Sequence, residues 1–233
     1  MLDRKLAIIV PYRGRPEHLA RFVPHMAEYF QRDPNLSLHI VEQAGTGIFN
    51  RGKLKNVGYA LARNASDYVC FHDIDYLPLA ADYSWSPRPA RLIWHGLTHG
   101  EDWHTFLAAV VLFDKPSFER INGFPNGYWG WGFEDAELGV RCDMAGIAWD
   151  KRDGTFESLP HAHQGIDPNG VPTKEALATQ ALFWQRRPGL KALMPQDGLS
   201  DLEFTSLPAA PLLLAGQPVP NFWHHIVDIG GPG

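Results

Sequence analysis

The chain has 233 residues, of which 45% are hydrophobic and 20% charged, and its formal net charge is −5 at pH 7. This length allows one substantial core, and the negative balance excludes a broad basic surface for nucleic acid or anionic lipid. No run reaches the roughly 18 apolar residues of a membrane span, and the N-terminus lacks a signal-peptide pattern. Cys70 and Cys142 lack metal-ligand spacing and indicate free buried thiols in a reducing compartment. We therefore expect a cytoplasmic protein, or one that is peripheral at the inner face of a membrane.

The N-terminal part of the chain alternates strand and helix patterns. Short apolar runs predict strands at 5–10, 36–42 and 67–71, and apolar residues at helical spacing predict a helix after each of the first two. Pro16 suits the first turn of the first helix, whereas Pro24 interrupts its apolar face and predicts a kink. The β-α-β-α-β order predicts a parallel sheet whose ligands bind at the carboxyl edge of the strands.

The rest of the chain is less regular. The apolar run 107–113 predicts another central strand, and 134–145 and 174–186 have helical character. Strand patterns at 202–206 and 222–229 lie near the C-terminus. We therefore predict a single α/β domain with a mainly parallel central sheet flanked by helices.

Two acidic residues follow the third predicted strand. Asp73 and Asp75 lie at the sheet edge where ligands bind, and such a pair can hold a divalent cation that also touches a diphosphate; the alternative is that they cap a turn. His161 and His163 point to the same side of an extended segment and can supply imidazole ligands, unless they are ordinary surface histidines. One carboxylate with two imidazoles suits Mn²⁺ better than a structural zinc.

Basic and aromatic residues near the strand ends indicate a phosphate-binding site. Arg13, Arg15 and Arg51 follow a strand end or lie in a connecting loop, and a guanidinium matches phosphate oxygens in two-point geometry. Phe49 offers a face on which a base can stack. Solvated arginines and a core phenylalanine are the alternatives.

The segment Tyr128–Phe133, which we call the aromatic segment, places two tryptophans among glycines and leads into two acids. Glycine loses the most backbone entropy on ordering, and an indole is a large flat face, so this segment is typical of a lid over a sugar. Trp131 can exclude water, and Glu134 or Asp135 can act as general base toward a hydroxyl. The alternative is a helix N-terminus that carries favourable acids.

Taken together, these motifs resemble the inverting β-1,4-galactosyltransferases, and most closely the branch that acts on xylosylprotein. The resemblance runs in order from about residue 5 to the C-terminus and rests on PYRGR at 11–15, FNRGKLKNVGY at 49–59, HDIDYLP at 72–78, INGFPNGYWGWGFED at 121–135, HAH at 161–163 and VDIG at 227–230.

The resemblance implies a GT-A fold over 1–233, with a nucleotide-binding half at about 1–100 and an acceptor and metal half at about 101–233. It implies Mn²⁺-dependent, inverting transfer of galactose from UDP-galactose to a hydroxyl of a saccharide or glycoconjugate, with a β-1,4 linkage. Matching positions assign the metal to Asp75, His161 and His163, and catalysis to Asp135 as base with Glu134 beside it. Contacts with the nucleotide sugar are assigned to Pro11, Arg13, Arg15, Phe49, Arg51, Asp73, Phe106 and Trp131. Contacts with the acceptor are assigned to Trp131, Tyr128 and Glu134.

Four positions depart from the family pattern. Phe106 stands where the family usually has a tyrosine that helps to select the donor sugar, and Ala108 and Ala109 stand where two glycines follow. Ala136 replaces an acid after Asp135. Because of these departures, UDP-GalNAc or UDP-glucose is an alternative donor, and the acceptor is expected to differ from the usual one. A non-catalytic UDP-sugar or glycan binder and a metal-dependent hydrolase are the alternatives from other classes.

Overall fold

The computed structural model describes residues 2–92, 107–162 and 164–232. The strands in these ranges are β1 (Leu6–Tyr12), β2 (Leu36–Gln43), β3 (Tyr68–His72), β4 (Tyr76–Ala81), β5 (Ala90–Arg91), β6 (Val110–Asp114), β7 (Asp150–Lys151), β8 (Gly154–Ser158), β9 (Thr205–Ser206), β10 (Ala210–Leu214) and β11 (Gln217–Asp228). The helices are α1 (Pro16–Tyr29), α2 (Arg51–Ala62), α3 (Lys115–Arg120), α4 (Glu134–Met144), α5 (Lys174–Arg186) and α6 (Leu190–Leu193), with 3₁₀ turns at Arg187–Gly189 and Met194–Gln196.

The main sheet has the strand order β10-β11-β2-β1-β3-β6-β5-β7, with β9 paired to β11. Its four central strands β11, β2, β1 and β3 run parallel, and β6 joins β3 in the antiparallel direction. A second, two-stranded sheet pairs β4 with β8. The prediction of a mainly parallel sheet flanked by helices is confirmed by this centre, because β1 connects to β2 through α1 and β2 to β3 through α2.

The alternation of side chains along β1 assigns one helix to each face of the sheet. All seven residues of β1 are buried, and successive side chains of a strand point to opposite faces. Ile8 therefore joins the core cluster that contains Phe22 of α1, whereas Ile9 joins the cluster that contains Val57 of α2. A Cβ on Gly58 would lie 2.2 Å from Ile9 Cγ2, so α2 approaches the sheet closely only because this residue is glycine.

The structure corrects several predictions about elements. α1 runs without a break through Pro24 to Tyr29, and a kink at Pro24 stays a prediction. The apolar run 107–113 forms a strand only from Val110 onward, antiparallel to β3 rather than parallel. The small sheet of β4 and β8 was not predicted, since Pro78 lies within β4 and argues against a strand. That the whole chain forms one catalytic domain with two halves stays a prediction.

Two buried histidines join the C-terminal strand β11 to β2. Nδ1 of His39 lies 3.1 Å from Nε2 of His225, and the two rings stack with centroids 5.3 Å apart. His39 Nε2 also lies 3.1 Å from the hydroxyl of Ser37. Burial and the neighbouring His225 lower the pKa of His39 to about 3, so the folded protein holds this pair neutral.

We predict that stability falls as the pH is lowered below about 6.5. An imidazole whose pKa is depressed by folding stabilises the protein above its unfolded pKa and loses that contribution as protons bind the unfolded chain. The pKa of His39 in the folded state is about 3. Protonation of His39 in the unfolded chain should therefore lower the free energy of unfolding by about 1.4 kcal/mol between pH 7.5 and 5.5. Urea unfolding at these two pH values measures the loss. His39→Gln should reduce the loss; an equal loss in this variant and in the unmodified protein would contradict the prediction.

Candidate active site

The predicted site residues meet at the carboxyl edge of the parallel strands. β1 ends before Arg13, and β3 ends before Asp73, whose backbone N–H donates to the carbonyl of Ala109 at 3.0 Å. Arg51 is the first residue of α2, and Asn50 caps this helix by accepting from Lys53 N at 2.8 Å. The fold thus brings residues from three separate predicted motifs to one edge of the sheet.

Arg51 is the centre of an ion cluster with three carboxylates. Its NH1 lies 3.0 Å from Asp73 Oδ2 and its NH2 lies 3.5 Å from Asp135 Oδ2, while Nε donates to Glu134 Oε1. All three acids are largely buried, with side-chain exposures of 13%, 15% and 2% for Asp73, Asp135 and Glu134. Buried carboxylates repel each other unless a cation compensates them, and one guanidinium with several donors is suited to do this.

The acids of the site lie at the start of α4. Glu134 and Asp135 are its first two residues, where the unpaired N–H groups and the helix dipole favour negative charge. Asp135 Oδ1 accepts from Ala136 N at 2.8 Å. Burial and the adjacent Glu134 nevertheless raise the pKa of Asp135 to about 6, against the opposing effect of Arg51. A carboxylate with this pKa can accept a proton near neutral pH.

Two of the three predicted metal ligands, Asp75 and His161, are in contact in the structure. His161 Nε2 lies 2.7 Å from Asp75 Oδ2, and the backbone of Asp75 accepts from Leu159 N at 2.7 Å. The hydrogen bond to Asp75 raises the pKa of His161. Within 2–92, 107–162 and 164–232 no group of three such side chains could hold a metal ion, and the third predicted ligand, His163, lies outside these ranges.

The donor set is chemically suited to a divalent cation that accepts mixed oxygen and nitrogen ligands. Asp75 supplies a carboxylate oxygen and His161 an imidazole nitrogen at the same place. Asp73 Oδ1, close in the chain, is a buried acceptor that has no hydrogen-bond partner among the described residues. The residues present therefore fit Mn²⁺, with Asp73 beside the metal ligands.

The aromatic segment is held by backbone contacts on both sides. Gly130 N donates to the carbonyl of Phe49 at 2.8 Å, and the carbonyl of Trp131 accepts from the Thr179 hydroxyl of α5 at 2.7 Å. The half-buried Trp131 ring covers Gly165, where an added Cβ would lie 2.3 Å from a ring carbon. The segment is therefore held between the loop that contains Phe49 and α5, and it leads directly into α4, which begins with Glu134 and Asp135.

Tyr128 contacts the helix α4 through a hydrogen bond. Its side chain is buried, and its hydroxyl donates to Glu137 Oε2 at 2.7 Å. Glu137 also pairs with Arg141 at 2.8 Å and with Arg186 at 2.9 Å. Tyr128 is therefore part of a buried polar network that fixes α4 against α5, and its predicted contact with the acceptor stays a prediction.

The other predicted contacts with the nucleotide lie in the loops at the same edge. The guanidinium carbon of Arg13 lies 5.1 Å from the centroid of the Phe49 ring, and Arg13 NH1 donates to the carbonyl of Gly47. Arg15 is the N-cap residue of α1, and Pro11 is buried in β1. Phe106 lies outside the described residues.

Two residues beside the site were missed by sequence reasoning. Lys55 lies one helical turn after Arg51 and is only 2% exposed. Glu137 lies one turn after Glu134 on α4 and is fully buried. The signal was available in both cases, because a charged residue three or four positions after a site residue of a helix shares its face.

Ala109 has a left-handed backbone next to Asp73. Its φ is +67°, its side chain is buried, and its carbonyl accepts the Asp73 N–H. A residue with a Cβ is strained in this conformation, whereas glycine is not. Alanine in place of glycine at this position therefore introduces backbone strain next to Asp73.

Comparison with known proteins agrees with the geometry. Residues 2–85 match the family profile described as the N-terminal region of glycosyl transferase group 7, and residues 98–164 match the one described as the N-terminal domain of galactosyltransferase. The chain belongs to the glycosyl transferase group 7 family.

Several members of this family with known activity are similar to the chain. β-1,4-Galactosyltransferase 7 of Drosophila melanogaster is 35% identical over 169 residues, which are 68% of this chain and 52% of the relative. β-1,4-Galactosyltransferase 1 of Bos taurus is 29% identical over 235 residues, covering 98% of this chain and 55% of the relative. The chain thus spans about half the length of the curated relatives that it matches. Among the described residues, no helix is both long enough and apolar enough to cross a bilayer.

Solved structures of the group 7 family share the fold. The catalytic domain of Drosophila β1,4-galactosyltransferase 7 in complex with xylobiose aligns with a TM-score of 0.77 and 27% identity, over 97% of this chain and 94% of that one. A mutant of the same enzyme in complex with manganese, UDP-Gal and xylobiose aligns with the same TM-score and 26% identity. The prediction of a GT-A fold is confirmed.

We predict that Ala109→Gly stabilises the protein. The left-handed backbone costs an L-residue about 1–2 kcal/mol, and the greater entropy that glycine loses on folding offsets about 0.5–1 kcal/mol of this. The expected net gain is therefore up to about 1.5 kcal/mol, measured as the free energy of unfolding in urea. Ala108→Gly is the matched control, because Ala108 is equally buried but has no positive φ, and it should destabilise. A loss of stability in both variants would contradict the prediction.

Proposed function

We propose that this protein is a Mn²⁺-dependent galactosyltransferase that transfers galactose from UDP-galactose to a hydroxyl of a saccharide acceptor, with inversion and a β-1,4 linkage. The observation that carries this proposal is the cluster in which Arg51 joins Asp73, Glu134 and Asp135, beside the Asp75–His161 pair. The similar Drosophila enzyme was solved with manganese, UDP-Gal and xylobiose, which supports the same ligand classes here.

In the proposed reaction, Asp135 is the general base. The acceptor hydroxyl oxygen attacks the anomeric carbon of the donor sugar, its proton moves to the Asp135 carboxylate, and the bond from the anomeric carbon to the diphosphate oxygen breaks. The electron pair of that bond leaves with UDP, so no covalent enzyme intermediate is formed. Glu134, held by Arg51, positions the sugars, and the Trp131 ring excludes water from the reacting groups.

The nucleotide is bound at the strand ends in this proposal. Arg13, Arg15 and Arg51 bind the diphosphate, and Phe49 and Pro11 form the pocket for the base. Asp75, His161 and His163 would hold Mn²⁺, which, when bound, stabilises the negative charge that develops on the departing diphosphate.

Two residues bear on the choice of the donor sugar. Ala109 has a strained backbone at a position where the resemblance predicts glycine, and Phe106 stands where a tyrosine selects the donor in related enzymes. UDP-GalNAc and UDP-glucose are therefore the alternative donors for the same chemistry. A location in the cytoplasm or at the inner face of a membrane stays a prediction.

Asp135→Asn is expected to abolish most transfer while leaving the donor site intact. The amide keeps the shape of the side chain but cannot accept a proton, and a general base typically contributes about 10²–10⁴-fold to the rate. The turnover number should fall by that factor in an assay of UDP release from UDP-galactose with an acceptor, while the Kd of UDP stays unchanged in calorimetry. Asp143→Asn on the exposed side of α4 is the control and should keep full activity. Retained transfer in Asp135→Asn would remove this residue from the base role.

The pH profile of transfer should have an acid limb near pH 6. The base must be ionised to accept a proton, and the pKa of Asp135 is raised to about 6. At saturating Mn²⁺, kcat/KM should therefore fall by about tenfold for each pH unit below that value. An acid limb near pH 4, the ordinary range of an aspartate, would show that the reacting base is a different or unperturbed group.

Removing either histidine should weaken metal binding specifically. His161→Ala and His163→Ala each delete one predicted ligand, so the Mn²⁺ concentration for half-saturation should rise by at least about tenfold. Electron paramagnetic resonance of free Mn²⁺ measures this without reference to activity. His18→Ala is the matched control, since its ring lies 6.2 Å from that of His161 but is not a predicted ligand. An unchanged metal titration in both ligand variants would contradict the assignment.

A further inference from the structure

A buried lysine lies behind the carboxylate cluster and has no role in the proposed reaction. Lys55 is 2% exposed. Its Nζ lies 3.5 Å from Asp73 Oδ1 and 5.0 Å from the centroid of the Phe124 ring. Lysine is almost never fully buried unless it is paired, so its position on this face of α2 requires an explanation.

The Asp73 carboxylate lies between two cations. Its Oδ2 is bound by Arg51 at 3.0 Å, and its Oδ1 faces the ammonium of Lys55 at 3.5 Å. The second contact is an ion pair without hydrogen-bond geometry, because Asp73 Oδ1 has no hydrogen-bond partner among the described residues. Lys55 therefore acts on Asp73 mainly through its charge.

The charge of Lys55 changes the balance of the whole cluster. Arg51 forms ion pairs with the three carboxylates of Asp73, Glu134 and Asp135. Lys55 adds a second positive charge to that of Arg51 beside these carboxylates, and so reduces the local excess of negative charge. Because the site is largely buried, this difference acts through a medium of lower dielectric constant than water. An anionic ligand should be attracted by the added cation, and a metal cation should be repelled by it.

We propose that Lys55 is a positioning residue that holds Asp73 in place and sets the electrostatic balance of the nucleotide and metal site. It strengthens the binding of the UDP diphosphate and weakens the binding of Mn²⁺ when no nucleotide is present. This inference rests on the proposed function. Its consequence is that metal and nucleotide bind more tightly together than either does alone, because the diphosphate supplies the negative charge that Lys55 cancels.

The alternative is that Lys55 only fills space against Phe124. The two explanations differ in the direction of the effects that they predict. If the role of Lys55 is purely structural, its loss should weaken the binding of both ligands or of neither. Loss of a charge must instead change the affinities for an anion and for a cation in opposite directions.

The test uses Lys55→Met, which keeps the length of the side chain and removes its charge. The Kd of UDP is measured in EDTA by calorimetry, and the Kd of Mn²⁺ without nucleotide is measured by electron paramagnetic resonance. We expect UDP to bind about tenfold more weakly and Mn²⁺ severalfold more tightly, which is the scale of one unit charge at an effective dielectric constant of about 20. Lys55→Arg, which keeps the charge, should have Kd values for UDP and for Mn²⁺ close to those of the unmodified protein.

Lys53→Met is the matched control. Lys53 lies on the same helix, but its Nζ donates to the carbonyl of Ile229 at 2.8 Å, so its removal should leave both affinities unchanged. If Lys55→Met does not fold, Lys55→Gln provides the same two measurements with a polar side chain. Equal affinities in the neutral variant and the unmodified protein, or a loss of both, would overturn this inference alone. An unmodified protein that binds neither UDP nor Mn²⁺ would overturn the proposed function and the inference with it.

Discussion

The site depends on the three ion pairs of one guanidinium. Arg51, at the start of α2, joins the end of β3 and the start of α4 through its ion pairs with Asp73, Glu134 and Asp135. Removing such a cation would leave several buried charges uncompensated, a change that is strongly destabilising. The arginine therefore makes it possible to keep three acids close together at the sheet edge, and the proposed chemistry needs that concentration of carboxylates.

Backbone strain is found where the same elements meet. Ala109 and Phe133 both have positive φ, at +67° and +72°, although neither is glycine. Ala109 precedes β6 and binds Asp73, and Phe133 is the N-cap residue of α4. Strained residues of this kind persist only where the surrounding structure determines their conformation. Phe133 gains such support by packing against Phe183, with the two ring centroids 5.5 Å apart, and it directly precedes Glu134 and Asp135 of the site.

Much of the fold could be predicted from the sequence, because its central elements are long and periodic. α4 and α5 begin at the predicted residues, and the family resemblance was confirmed by the comparisons. The direction of β6 could not be predicted, since an apolar run carries no information about the partner strand. The buried hydrogen bond of Tyr128 to Glu137 could not be predicted for a similar reason. The buried position of Tyr128 depends on Glu137 of α4 and Arg186 of α5. Arg186 is far from Tyr128 in the sequence, so only the tertiary structure shows these contacts.

The measurement that tests the central claim most directly is UDP release by the purified protein with Mn²⁺, compared across UDP-galactose, UDP-GalNAc, UDP-glucose and UDP-GlcNAc, with EDTA controls and with xylosides and GlcNAc-glycosides as acceptors. The account predicts turnover that requires the metal and the acceptor and is highest with UDP-galactose. Turnover with none of the four donors, in a protein that still binds UDP, would contradict it and identify the chain as a non-catalytic binder of nucleotide sugars.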